Sequence, residues 1–142
     1  TIFWGEYILL KALLSPKTWS KAKRIENEVK AIALRVRSSV THPYDKLLAN
    51  HLVQYSFSNK AYILKNLAWS QFLESYPAKS ITSIDENSPM VLAIFDAAKI
   101  KGIARIAVQH GTIHQQHPAY VHSPGDAGRD VFPTLTLAWG KS

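Results

Sequence analysis

The fold is decided by residues 80–111, which read SITSIDENSPMVLAIFDAAKIKGIARIAVQHG. The β-branched residues within Ser80–Ile84 predict a short strand. Ser88 and Pro89 then supply an N-cap and a proline at the first helical position, which predicts a helix from this point. Gly102 is placed to end that helix, because a left-handed residue is favoured just after a helix. The segment therefore begins as a strand followed by a helix.

A second strand follows the helix. Ile103–Val108 is an apolar run interrupted only by Arg105, which is typical of a strand buried on both faces. Two strands joined by a helix within about 30 residues form a βαβ unit, in which the strands are parallel. Leu135–Trp139 predicts a third strand, after a long polar loop from His110 to Pro133. The sequence thus predicts an α/β fold, with a Rossmann-like parallel βαβ unit in residues 79–142.

Residues 1–78 instead show the 3- and 4-residue apolar spacing of helices. The helices are expected at Glu6–Leu14, from Pro16 to about Ser38, from Pro43, and from Asn59 to just before Pro77. The predicted buried stripe of the second helix is Trp19, Ala22, Ile25, Val29, Ile32, Ala33 and Val36. That of the third is Tyr44, Leu47, Leu48 and Leu52. The first half is therefore expected to be a helical, basic segment.

Charge is distributed unevenly along the 142 residues. Twelve Lys and Arg against five Asp and Glu give residues 1–79 the whole net charge of +7, whereas residues 80–142 hold five of each. Such an excess suggests an anionic partner, either a membrane surface, a nucleic acid or a phosphorylated substrate, although a solvated helix face has the same composition. The lack of cysteine excludes disulfides, a thiolate zinc site and a cysteine nucleophile.

The ends of the chain and its hydropathy bear on targeting. No apolar run approaches the ~20 residues that a membrane-spanning helix needs. The chain begins at Thr1, and no basic stretch precedes the first apolar one, so we expect no signal peptide. The sequence reads as a piece of a longer chain.

Polar residues follow both strands of the βαβ unit, where parallel sheets bind ligands. Residues 85–87 come after the first strand and residues 109–111 after the second, so we expect them to line one cleft. Six candidate site residues result: Asp85, Glu86, Asn87, Gln109, His110 and Gly111.

These residue types suggest different roles at the cleft. Glu86 or Asp85 could act as a general base, and His110 could act as a base or donate to a phosphate or sugar oxygen; Glu86 and His110 are the preferred catalytic candidates. Gly111 would let the backbone turn sharply or approach a ligand closely. Asp85 and Asn87 are candidates for substrate binding, but both are also common capping residues at the start of a helix.

Four of the six histidines lie close together: His110, His114, His117 and His122. Imidazole is a common metal ligand, but these spacings are irregular and no acidic residue follows before Asp126, so we expect no metal site. One or two of these histidines, with His114 as a candidate, are expected to contact substrate instead. The sequence also lacks a glycine-rich dinucleotide motif, a Walker loop and a Gly-x-Ser-x-Gly elbow.

Three short motifs occur in this half of the chain: Asp-Glu-Asn-Ser-Pro at 85–89, Ala-Ala-Lys-Ile-Lys-Gly-Ile at 97–103 and Ala-Val-Gln-His-Gly-Thr at 107–112. Tyr120 in the loop and Trp139-Gly140 after the third strand fit the same pattern. Over residues 80–140 the chain therefore resembles bacterial surface-polysaccharide glycosyltransferases of the GT-B type, which build capsule or lipopolysaccharide.

The resemblance implies an enzyme with two Rossmann-like domains, of which this chain is part of the N-terminal, acceptor-side lobe. It implies that Glu86 and His110 are catalytic, and that the substrate-binding residues are Asp85, Asn87, Gln109, Gly111, His114 and Tyr120. The nucleotide sugar is then a co-substrate held by a C-terminal domain of the same chain, and these residues bind no cofactor or metal.

The resemblance also implies the partners and the location. The expected partners are a glycan or lipid-linked acceptor and the nucleotide-binding domain. The protein would be cytoplasmic and peripheral at the inner membrane, where its basic helices contact anionic lipid.

Two other functions are consistent with the residues. The first is a non-enzymatic helical module that binds nucleic acid or an anionic membrane through residues 17–37. Nucleic acid is the less expected partner, because the aromatic residues form no recognisable stacking platform. The second is a metal-dependent hydrolase that uses the histidine-rich loop.

Overall fold

The computed structural model describes residues 5–56, 59–109, 111 and 132–139. The chain divides into two compact units, Thr1–Ala68 (unit 1) and Trp69–Ser142 (unit 2). The boundary falls inside a helix, whereas the sequence pattern changes from helices to strands near residue 79.

The described elements are mostly helical, with a small parallel sheet near the end of the chain. In chain order they are α1 (Gly5–Leu13), α2 (Pro16–Ser39), α3 (Pro43–Ser56), α4 (Lys60–Ser75), β1 (Ser80–Ser83), α5 (Pro89–Ile100), β2 (Ala104–Val108) and β3 (Leu135–Leu137). The predicted mixed α/β class is confirmed. None of these described helices is long and apolar enough to cross a membrane.

Helix α2 begins as its sequence predicts. The backbone N–H of Thr18 donates to Ser15 Oγ at 3.3 Å, and Pro16 holds the first helical position. The helix ends at Val40, whose backbone is extended. In unit 1, Ala22 of this helix packs in an apolar cluster with residues of α4: Ile63, Leu64 and Leu67.

The predicted buried stripe of α2 is partly wrong. Ala22 and Ala33 are buried, but Trp19, Ile32 and Val36 are exposed. The buried positions are Thr18, Ala22, Glu26 and Ala33. Small side chains allow neighbouring helices to approach closely, so the packed face of α2 follows its alanines and not its largest apolar residues. The buried Glu26 carboxylate is paired with Lys30 Nζ at 3.0 Å.

The predicted buried face of α3 is wrong. Tyr44, Leu47, Leu48 and Leu52 are all exposed. The residues that α3 buries are Ala49 and Ser56, and the Ser56 hydroxyl donates to the carbonyl of Val53 at 2.6 Å. Helix α3 packs against α2. It therefore does so through a face of small residues and leaves its large apolar side chains in solvent.

The sheet of unit 2 has the strand order β1-β2-β3, and both pairs of neighbours are parallel. Ser80 pairs with Ala104 and Ser83 with Ala107, so β1 and β2 run side by side in the same direction. The predicted parallel βαβ unit is thus confirmed over β1, α5 and β2. All three strands consequently end at the same edge of the sheet, which we call the carboxyl edge.

Helix α5 is fixed at both ends by local hydrogen bonds. The Ser88 side chain accepts from the Val91 N–H at 3.3 Å. At the other end, the Gly102 N–H donates to Lys99 O and the Ile103 N–H to Ala98 O, both at 3.0 Å. Gly102 has a φ of +67°, so this end is a Schellman motif with glycine in the left-handed position.

Helix α5 packs on the sheet through its alanines. Ala97 and Ala98 are fully buried in a cluster with Leu73 of α4 and with Ile103. Trp69, Phe72 and Ile81 pack against the same cluster, and the rings of Trp69 and Phe72 meet edge to face with centroids 5.7 Å apart. This core fixes the crossover helix on the face of the sheet that carries Ile81.

The end of α5 yields the first prediction. Gly102→Ala should lower the free energy of unfolding by ~1 kcal/mol, because an L side chain disfavours a positive φ. A Cβ at Gly102 meets no atom within 4 Å, so the cost is conformational and not steric. Urea unfolding checks the value.

Gly111→Ala is the matched control. A Cβ there meets no atom of the described residues within 4 Å, and Gly111 does not have a positive φ, so its unfolding free energy should not change. Equal destabilisation by the two variants would contradict the assigned helix end.

Candidate functional site

The parallel strands bring two predicted groups of site residues to the carboxyl edge. Asp85, Glu86 and Asn87 follow β1, and Gln109 and Gly111 follow β2. The register pairs Ser83 with Ala107, so the two groups leave the sheet next to each other. This edge is the one at which open parallel sheets bind ligands.

A tight turn carries the first group from β1 into α5. The Asp85 N–H donates to Ser83 Oγ at 3.1 Å, and the N–H of Ser88 donates to the Asp85 carbonyl at 3.4 Å. Glu86 and Asn87 are the central residues of this turn. The N-cap of α5 is Ser88, so the exposed side chains of Asp85 and Asn87 do not hold that position.

Glu86 differs from its neighbours because it is buried. Its exposed fraction is 4%, whereas Asp85 and Asn87 are exposed. Burial of a carboxylate is costly unless the surroundings compensate for lost water. Glu86 lies two residues before the N-cap of α5, where the positive end of the helix dipole favours negative charge. The turn therefore presents one buried acid between two exposed polar residues.

Both polar groups of the Gln109 side-chain amide form hydrogen bonds within unit 2. Its Nε2 donates to the Gly111 carbonyl at 2.7 Å, and its Oε1 accepts from the Trp139 N–H at 3.3 Å. Its backbone N–H donates to Leu137 O at 2.9 Å. Gln109 therefore ties the end of β3 to the residues that follow β2. These contacts favour a positioning role for Gln109, and direct contact with substrate stays a prediction.

Gly111 is exposed at the same edge. Its backbone does not use the left-handed region, so glycine is not needed there for a sharp turn of that kind. Among the described residues, no atom lies within 4 Å of the position of its missing Cβ. Close approach of a ligand to the Gly111 backbone stays a prediction.

A polar clamp that sequence reasoning missed joins β2 to the start of β3. The Thr134 hydroxyl accepts from the Arg105 N–H at 3.0 Å and donates to the Arg105 carbonyl at 2.9 Å. The Thr134 N–H donates to the same carbonyl at 2.7 Å. The Arg105 side chain is buried, on the same face of the sheet as Ala107 and Ile81. The one available signal was a charged residue inside an apolar strand.

Three predicted site residues lie outside the described residues: His110, His114 and Tyr120. The clustered histidines His117 and His122 and the Gly140 of the Trp-Gly pair also lie outside them. Their proposed roles stay predictions. Within the described ranges, no three His, Asp or Glu side chains are arranged to hold a metal ion.

Unit 1 contains a separate basic depression on α2. It has a volume of about 380 Å³, and the described residues that line it are Lys17, Ser20, Lys21 and Arg24. Arg24 contacts Glu28 at 3.7 Å, but both side chains are largely exposed, so this pair offsets little of the local charge. The depression is a second candidate site, and it suits an anion.

No family model, no curated protein and no solved structure matches this chain.

The contacts of Gln109 yield the second prediction. Gln109→Leu should raise the hydrogen-exchange rate of the Trp139 amide about five-fold, because one hydrogen bond contributes about 1 kcal/mol to holding that amide closed. Amide exchange followed by NMR is the measurement.

Gln54→Leu, on the exposed surface of α3, is the control and should leave Trp139 exchange unchanged. If Gln109→Leu also leaves it unchanged, the Gln109 side chain does not hold β3, and a role in binding substrate gains support.

Proposed function

We propose that this chain is the acceptor-side part of a nucleotide-sugar-dependent glycosyltransferase that builds bacterial surface polysaccharide, either capsule or lipopolysaccharide. One observation carries the proposal. The Asp-Glu-Asn-Ser-Pro and Gln-His-Gly motifs follow neighbouring parallel strands, and the acid of the first motif is buried at their common edge. This arrangement is consistent with the acceptor-side lobe that the resemblance to GT-B glycosyltransferases implies.

The proposed chemistry is proton transfer at an acceptor hydroxyl. Glu86 or His110 acts as the general base that removes the hydroxyl proton while its oxygen attacks the anomeric carbon of the donor sugar. The bond between that carbon and the nucleotide phosphate breaks, and the nucleotide leaves. The position of Glu86 supports the role, because it is a buried acid at the edge where the residues that follow β2 also leave the sheet.

The other residues of the edge hold the acceptor. Asp85 and Asn87 are exposed beside Glu86 and offer oxygen and amide groups to sugar hydroxyls. His114 and Tyr120 belong to the same set by resemblance. Gln109 holds the Gly111 carbonyl through its side-chain amide, and Gly111 forms one wall of the proposed site.

The proposed partners follow from the same resemblance. A nucleotide-binding domain in the same polypeptide supplies the donor sugar, and no bound metal or other cofactor takes part. The enzyme works at the cytoplasmic face of the inner membrane on a glycan or lipid-linked acceptor. The cations of α2 favour this location, since each Lys or Arg near anionic lipid contributes ~1 kcal/mol to binding.

A second candidate function rests on unit 1 alone. Its net charge and its basic depression also suit a non-enzymatic module that binds an anionic surface or nucleic acid. A nucleic-acid complex would weaken steeply and linearly with the logarithm of salt concentration. The hydrolase alternative depends on the histidine-rich loop, so no described residue favours it.

The third prediction tests the proposed base. In the polypeptide that includes the nucleotide-binding domain, Glu86→Gln should slow sugar transfer by ~10²-fold, because the amide keeps the shape of the side chain but accepts no proton. His110→Ala should slow transfer by a similar factor of ~10² if the imidazole moves the proton. Transfer of radiolabelled sugar into the lipid fraction is the measurement.

Glu74→Gln is the matched control. Glu74 lies on α4 and pairs with Lys101 at 3.2 Å, but its side chain is mostly exposed and it lies outside the carboxyl edge. It should leave transfer unchanged. If Glu86→Gln and His110→Ala both retain full transfer while the chain stays folded, neither residue is the base and the proposal fails.

A further inference from the structure

Helix α3 presents a row of large apolar side chains to solvent. The row, which we call the α3 stripe, consists of Tyr44, Leu47, Leu48, Leu52 and Tyr55, and each is between 44% and 67% exposed. Isolated exposed apolar residues are ordinary on protein surfaces, but a contiguous row on one helix marks a surface that contacts something else.

The spacing of the α3 stripe places it on one side of the helix. At 3.6 residues per turn, its five side chains fall within an arc of about 140° and span roughly 17 Å along the axis. The buried residues Ala49 and Ser56 lie about 40–60° beyond the Leu52 edge of this arc. The exposed polar residue Asn50 lies about 60° beyond the opposite edge, and Gln54 borders that edge beside Leu47. His51, which is also exposed, lies within the arc, so the stripe is an apolar surface that one imidazole interrupts and that is separate from the packed face.

The net charge of unit 1 indicates which kind of partner the α3 stripe contacts. Residues 1–68 hold eleven Lys and Arg and four Asp and Glu, a net charge of +7, whereas residues 69–142 hold six of each. A second copy of the chain would bring the same positive charge to the interface, so self-association through this unit is opposed by repulsion. Nucleic acid would neutralise the positive charge but would not cover five large apolar side chains. An anionic lipid surface would do both.

The two tyrosines fit the same partner. They are the first and last residues of the stripe along the chain and lie near the centre of its arc, so both rings face the surface that the stripe contacts. Tyrosine is enriched where a protein meets the head-group region of a bilayer, because its ring is apolar and its hydroxyl remains hydrated. Elements that lie in the membrane interface combine an apolar helix face with positive charge, and unit 1 has both in the α3 stripe and in its net charge.

We propose that the α3 stripe inserts into the interface of an anionic membrane, with helix α3 lying in the plane of the lipid surface. The inference rests on the part of the proposed function that locates the protein at a membrane, and it does not depend on sugar transfer. The cations of α2 supply attraction to anionic head groups, and the stripe supplies the apolar contact that retains the protein there.

The first test measures binding to vesicles. The protein should sediment with vesicles of phosphatidylglycerol and phosphatidylcholine, and less with phosphatidylcholine alone. Leu48→Gln combined with Leu52→Gln should weaken binding by about ten-fold or more, because two leucines lose their transfer into lipid. The control combines Ile100→Gln with Leu135→Gln, which removes two apolar side chains of comparable exposure from unit 2 and should have no effect.

The second test locates the inserted face. The chain has no cysteine, so a single cysteine can carry an environment-sensitive fluorophore without other changes. A label on Leu52→Cys should shift to shorter wavelength on anionic vesicles. A label on Asn50→Cys, on the polar side of the same helix, should not shift.

Several outcomes would overturn the inference. These are failure of the protein to bind anionic vesicles, equal binding by the paired leucine variant with an unchanged circular dichroism spectrum, or equal shifts of the two labels. A dimer in solution that the leucine variant abolishes would assign the stripe to self-association instead. Loss of sugar transfer in Glu86→Gln with intact vesicle binding would leave this inference standing, so the two proposals fail separately.

Discussion

The parallel pairing of β1 with β2 is the constraint on which the proposed site depends. Had these strands run antiparallel, residues 85–87 and residues 109–111 would leave the sheet at opposite edges, and the two motifs could not share a ligand. A parallel pair needs a crossover long enough to return the chain to the starting edge, and α5 is that crossover. Its ends are set by Ser88 and by the left-handed backbone of Gly102. The cap at Ser88 and the left-handed backbone at Gly102 therefore set the crossover that brings a buried acid and the residues that follow β2 to the same edge.

Unit 1 obeys a different constraint, which is the mostly small size of the side chains that α2 and α3 bury, whereas α4 buries the larger Ile63, Leu64 and Leu67. Ala22, Ala33 and Ala49 are buried, while larger apolar residues on the same helices remain exposed. Packing through alanine allows close approach, but it buries little apolar area per residue, and the favourable free energy of burial grows with that area. The exposed side chains leave apolar surface uncovered in the unit that also holds all the excess positive charge. This combination distinguishes unit 1 from the neutral unit 2.

Much of the fold could be predicted from the prolines and the glycine that mark the ends of helices. Pro16, Pro43, Pro89 and Gly102 predict helix ends correctly because each acts on its own backbone, without reference to the rest of the molecule. The packed faces of α2 and α3 could not be predicted, since periodicity identifies an apolar side but not whether a partner covers it.

The hydrogen bonds of Gln109 with Gly111 and Trp139 also escaped prediction, because Gln109 and Trp139 are 30 positions apart along the chain. The burial of Glu86 also escaped prediction, because it depends on the turn around Glu86 and not on the residue type alone. Sequence therefore located the candidate site, but only the structure separated the buried acid from its exposed neighbours.

The measurement that tests the central claim most directly is amide chemical-shift mapping on the ¹⁵N-labelled chain. The ligand to add is a set of soluble oligosaccharides released from bacterial capsule and lipopolysaccharide. If the carboxyl edge is an acceptor site, the amides of Asp85, Glu86, Asn87, Gln109 and Gly111 should shift together and saturate at one common affinity. Shifts confined to the basic face of α2, or no shifts at any oligosaccharide concentration, would contradict the assignment of this edge to a glycan acceptor.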